Sequence, residues 1–197
     1  MKTILSVVLA LVVTTGQVWA GETESYISNE TPSWLSLSKE NPISVHIRDR
    51  VSDGCWTNSK AVKNAVELEL TRSNYTVSES SKDAWYTITI FGMGGEVNDD
   101  FCAISWRIYI VRYANIQHQF GDHQLDEAIP VAIWSLSGMF WNDKSKTSQM
   151  MKRVFVESIQ EFLVEVPKAQ REALKQVLES EYTSSEAKAY WSKFKID

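Results

Sequence analysis

The amino-acid sequence predicts an α+β domain: a mainly antiparallel sheet of about five strands, a long helix after strand 1, C-terminal helices packed on one face, and one disulfide. Three observations predict it. Apolar and polar residues alternate in a series of segments between Ile43 and Trp141, the period of half-buried strands. From Lys146 onward the apolar residues recur at steps of three and four, the period of amphipathic helices. Two cysteines, Cys55 and Cys102, follow a leader of the secretory type, where an even count most simply means one bridge.

Met1-Lys2-Thr3 gives the leader a short charged start, Ile4 to Val13 is apolar except for Ser6, and Val18-Trp19-Ala20 precedes Gly21. Such a segment reads as a signal peptide, too short and wrongly flanked for a spanning helix. Residues 21–42, rich in Ser, Thr, Asn and Glu, read as a flexible arm from which Trp34, Leu35 and Leu37 dock onto the body. Residues 43–197 are expected to form one domain.

Ile43 to Val51 alternates strictly, with Ile43, Val45, Ile47 and Val51 on one face and Ser44, His46, Arg48 and Arg50 on the other. After the Ser52-Asp53-Gly54 turn, a helix is expected from Ser59 to Arg72, with Val62, Ala65, Val66 and Leu70 inward. Tyr75 to Glu79 reads as a short strand and Trp85 to Phe91 as a stronger one. The glycines at 92, 94 and 95 are expected to end it in a hairpin loop that Asn98 to Asp100 completes. Cys102 to Ile116 is the longest alternating segment, with Ile104, Trp106, Ile108 and Ile110 opposite Arg107, Tyr109, Val111 and Tyr113. Gln117 to Glu127 reads as a polar connection. Ile129 to Trp141 is taken as a strand, because Gly138 disfavours a helix interior.

A helix follows from Lys146 to Val166, and Pro167 is expected to start another. Thr183 and Glu186 form a capping-box pattern opening a last helix, with Ala187, Tyr190, Trp191 and Phe194 on one face. The bridge constrains this order. Cα atoms within about 7 Å put the end of the first strand and the start of the Cys102 strand at one end of the sheet, running antiparallel.

The strand Val45 to Val51, the helix after it, Ala84-Trp85-Tyr86-Thr87-Ile88-Thr89-Ile90, and Ile133-Trp134-Ser135-Leu136-Ser137-Gly138 running into a long helix together resemble small bacterial envelope domains. These are similar to the amino-terminal domain of the periplasmic protein TolB and to lipoprotein activators of penicillin-binding proteins. The resemblance spans residues 43–166 and lies in element order. It implies a scaffold or partner-binding role and carries over no functional residue. The chain departs from the lipoproteins in having no Cys at the cleavage site.

Composition narrows the function. The chain has 25 acidic and 20 basic residues, a net charge of −5, and no basic stripe along the sequence. Nucleic acid and anionic lipid are therefore not expected partners. Removing residues 1–20 from 197 leaves 177, enough for one cored domain, with no further apolar run of membrane-spanning length.

The Gly92 to Gly95 segment lacks the helix and cation of a phosphate cradle. Glu96, Asn98, Asp99 and Asp100 fail the calcium-loop spacing. His118, Asp122 and His123 are weak candidate metal ligands, and no metal or cofactor is expected. No Cys-x-x-Cys motif or nucleophile elbow is present.

Seven Trp remain beyond the leader, of which Trp85, Trp106, Trp134 and Trp141 fall on proposed strands. Core packing accounts for such residues, but interface centres favour the same types. Trp106, Arg107, Tyr109 and Tyr113 are thus the candidate partner-binding residues. The function expected is an exported, soluble envelope protein that binds an envelope or extracellular protein as scaffold, accessory or inhibitor. Its expected location is the periplasm, with secretion as the alternative, to which the sequons at Asn29 and Asn74 are relevant. The alternative function is a hydrolase acting on cell-wall or extracellular polymer.

Overall fold

The computed structural model describes residues 34–120, 123–181, 183–193 and 196, with the backbone alone between 114 and 127. In chain order the elements are β1 (Ile43–Val51), α1 (Ser59–Arg72), β2 (Val77–Ser78), β3 (Tyr86–Asn98), β4 (Phe101–Phe120), β5 (His123–Asp143), α2 (Lys144–Glu179) and α3 (Ser185–Trp191). The sheet order is β2-β1-β3-β4-β5. The β3-β4-β5 ladder is antiparallel, whereas β1 runs parallel to both neighbours. α1 supplies the crossover that the parallel β1–β2 pair requires. The fold is the expected α+β arrangement, with the long helices against one sheet face.

The core lies between that face and α1 and α2. Ile43, Ile88, Ile90, Ile104, Ile108 and Ile110 are fully buried beneath Val62, Val66 and Leu70 of α1 and Met151, Ile159 and Val166 of α2. Two phenylalanines of α2 organise the tryptophans. Phe155 stacks on Trp56 at 5.9 Å and meets the edge of Trp106 at 5.7 Å. Two helical turns on, Phe162 lies 5.2 Å from Trp134 and 6.4 Å from Trp34. Trp34, Leu35 and Leu37 are core residues, so the described part of the arm is docked rather than loose. The Gln170 amide fixes it by donating to the carbonyls of Trp34 and Leu37. Ser36 is held by Arg112 and the Tyr86 hydroxyl.

Cys55 and Cys102 are bridged, with Cα atoms 6.0 Å apart and both side chains fully buried. β1 and β4 run in opposite directions, as the bridge argument requires.

Four boundaries differ from expectation. Gly92 to Gly95 do not form the hairpin loop; they continue β3, and the turn shrinks to Asp99-Asp100. These glycines serve close approach instead. A Cβ at Gly92 would meet the Trp56 ring at 2.7 Å, and one at Gly138 would meet the Trp106 ring at 2.9 Å. Gly94, at φ +146, would drive a Cβ into the Ala103 carbonyl.

Gln117 to Phe120 and His123 to Glu127 do not belong to a loop connection but to the far end of the β4–β5 ladder, pairing as far as Phe120 with His123; Gly121 and Asp122 lie outside the described residues. Backbone hydrogen bonds form such a ladder whatever the side chains are. Pro167 does not restart a helix; α2 runs through it for 36 residues. Proline removes one helical hydrogen bond, but Phe162, Val166, Gln170 and Ala173 keep one continuous buried stripe across it. The last helix is capped by Ser184, not Thr183, with the Ser184 hydroxyl accepting from the Ala187 N–H. Its expected inward face is only partly so: Trp191 packs on the core, Tyr190 is exposed, and Phe194 lies outside the described residues.

Candidate open-face binding site

Among the described residues the helices cover one side of the sheet, and strand alternation decides what the other side presents. Between β1 and β5 the ladder brings open-face residues into rows. His46, Thr89, Tyr109 and Ser135 form one row, and Arg48, Phe91, Arg107 and Ser137 the next. Arg50, Met93, Ser105 and Met139 follow, nearer the disulfide. Ser44 and Thr87 are buried at the opposite end, where their hydroxyls share a 3.1 Å hydrogen bond.

A cleft of about 670 Å³ opens on this face, lined by His46, Arg48, Phe91, Arg107, Tyr109 and Tyr113 among others. The Arg107 guanidinium lies 5.3 Å from the centre of the Tyr109 ring, a cation–π geometry that holds it over the sheet. Met93, Tyr113, Met139 and Trp141 are each about half exposed or more.

A bulge in β5 shapes the face. Ile110 pairs with Trp134 and Val111 with Ala132, so Ile133 has no partner. The extra residue lets Ile133 and Trp134 both be buried. It also returns Ala132 and Pro130 to the open side, where they line the cleft.

Of the four residues expected to share a partner-binding face, the structure brings three together. Arg107, Tyr109 and Tyr113 are on the open face, but Trp106 is not: it points the other way, 7 % exposed, between Phe155 and Gly138. Parity decides this, because residues one apart on a strand point to opposite faces. Met93, Met139 and Trp141 belong to the open face; Trp141 is among the strand tryptophans singled out by the sequence, whereas no motif selects Met93 or Met139. Of the candidate metal ligands, Asp122 lies outside the described residues, as do the side chains of His118 and His123. Among the described residues no group of three His, Cys, Asp or Glu is placed to hold a metal ion.

A second hollow lies by the disulfide, lined by Gly54, Asp99, Asp100, Asp143 and Lys144. The Glu96 carboxylate accepts from Lys144 there, which raises the lysine pKa. The Ser52 hydroxyl donates to Asp53 and holds that carboxyl below its ordinary value. These groups close the turn by pairing with one another. Among the described residues no helix is long and apolar enough to cross a membrane.

No protein-family model and no curated protein matches the chain. Among solved structures it is similar to a PelC dodecamer from Paraburkholderia phytofirmans, at 8 % identity and a TM-score of 0.42, covering 70 % of this chain and 95 % of that one.

Proposed function

We propose that this chain is an exported envelope protein, periplasmic or secreted, that binds a protein partner through the open face of its sheet in a scaffold, accessory or inhibitor role. The observation that carries the reading is the asymmetry of the sheet. Helices cover one face, while the other exposes Met93, Tyr113, Met139 and Trp141 around Arg107 and Tyr109. Clustered exposed apolar groups mark interaction surfaces, and Trp, Tyr, Met and Arg are the types that interface centres favour. The buried disulfide suits an oxidising compartment, and the leader supplies the route. The resemblance of the sequence, in element order, to TolB-type and activator domains implies the same kind of role.

The alternative, a hydrolase of cell-wall or extracellular polymer, needs paired carboxylates at its cleft. The open-face cleft is lined by none among the described residues.

Capture from cross-linked envelope extract tests the reading, comparing immobilised residues 21–197 with a Met139→Glu/Trp141→Glu variant. The wild type should retain a specific protein that the variant loses at unchanged melting temperature. No capture, or equal capture by both, refutes it.

A further inference from the structure

We infer that the open face receives an acidic segment of its protein partner, an inference that rests on the protein-binding reading above. The charges of the chain are segregated by the sheet. Open-face positions of β1, β3, β4 and β5, from Ser44 to Arg50, Thr87 to Met93, Ser105 to Val111 and Ala132 to Met139, hold Arg48, Arg50, Arg107 and His46 and no Asp or Glu; among the described residues the carboxylates on this side lie at its disulfide end, where Asp143 pairs with Lys146 and Asp53 lies against Gly95. This occurs in a chain with more acidic than basic residues. Asp49, the nearest strand carboxylate, has the opposite parity and accepts from the Val51 N–H.

The three arginines also lack ion-pair partners among the described residues. The ion pairs found there involve Lys63, Arg72, Lys144, Lys146 and Arg153, on the helices and around the start of α2. A surface carrying unpaired cations attracts an acidic partner and orients it. The arrangement is also spaced. Arg48 and Arg107 bracket Phe91 in one ladder row, which sets their Cα atoms about 10 Å apart across two strand spacings. Carboxylates three residues apart on an extended polyproline-II segment stand roughly 9 Å apart on one side. Met93 and Met139, flanking Ser105 in the next row, and Trp141 beyond offer apolar contact to the residues between them.

The test is fluorescence anisotropy on residues 21–197 with a labelled peptide of about four Glu-Leu-Pro repeats, matched to that spacing. A Lys-for-Glu version, polygalacturonate and a single-stranded oligonucleotide are the other arms. The acidic peptide should bind, the lysine version should not, and raised salt should weaken binding. Arg48→Gln/Arg107→Gln should weaken it about tenfold or more, since both are exposed and charge-assisted contacts are the strong ones.

Absence of peptide binding overturns the inference, as does equal binding by the double variant. Binding only of polygalacturonate or the oligonucleotide assigns the cations to another polymer and also overturns it. If a captured partner is lost by the Met139→Glu/Trp141→Glu variant yet held by Arg48→Gln/Arg107→Gln, the acidic-segment inference falls and protein binding stands. If neither variant alters capture, both fall.

Discussion

Replacing Gly92 by alanine adds one methyl group at a tightly packed point of the core. Its Cβ would stand 2.7 and 2.9 Å from two carbons of the Trp56 ring and 2.8 Å from the Met151 methyl. Carbon atoms prefer about 3.5–4.0 Å, so the neighbours must retreat by roughly 1 Å. Met151 can turn its terminal methyl aside. Trp56 cannot move so easily, because Phe155 is stacked behind it and is itself set against Trp106. Overpacking of this kind costs about 1–3 kcal/mol, partly offset by the 0.5–1 kcal/mol or so that alanine gains over glycine in a strand. We expect Gly92→Ala to lose about 1–2 kcal/mol in urea unfolding. The cause can be isolated with Trp56→Leu, which removes the ring and breaks no side-chain hydrogen bond, since the buried Trp56 Nε1 has no partner among the described residues. In that background Gly92→Ala should be neutral or slightly stabilising, a coupling of about 2 kcal/mol. A neutral Gly92→Ala in the wild type, or additive effects in the double variant, refutes the reasoning.

Two further outcomes are expected. Cys55→Ala/Cys102→Ala opens a loop with a sequence separation of 47, which the chain-entropy model values at about 4 kcal/mol; the urea midpoint should fall and the denaturant slope rise as the unfolded chain expands, and a loss under about 1 kcal/mol contradicts this. Burial pushes the Tyr75 hydroxyl up to about 12. Because the folded value lies above the ordinary one near 10, its contribution is complete below pH 10 and lost as pH rises through 12, on the order of 2–3 kcal/mol. Tyr75→Phe should flatten that part of the stability curve, and an unchanged slope contradicts the assignment.

The fold was legible where burial is one-sided. Strands half in the core must alternate, so Ile43 to Val51 and Cys102 to Tyr113 declare themselves, and the helix from Ser59 to Arg72 is found at its observed ends. Reading failed where local chemistry was overruled by packing. Gly92 to Gly95 carry turn residues, yet two tryptophan rings need the space above Gly92 and Gly138. Pro167 carries a helix-start signal, yet the stripe from Phe162 to Ala173 buries on both sides of it. Gln117 to Glu127 is polar and so predicts a loop, yet Gln117 to Phe120 and His123 to Glu127 pair through their backbones, which polarity does not prevent.

The candidate site was hidden for a different reason. Along the chain, cations and carboxylates are interspersed; alternation sets His46, Arg48 and Arg50 on one face of β1 and Arg107 on one face of its own strand, but nothing in the sequence shows that the two lie on the same side of the sheet. Pleating sorts them. Asp49 turns to one side while His46, Arg48 and Arg50 turn to the other, and the β1–β3–β4 register then adds Arg107 to their face. A basic surface can therefore be assembled from a sequence with no basic run, at a cost in legibility but none in charge. The same parity removes Trp106 from that surface while leaving Arg107 on it. Charge statistics along a β-rich chain are thus a poor guide to its partners until each strand has been split by face. Once it is split, the open face of this sheet is cationic and partly apolar, in a molecule whose net charge has the opposite sign.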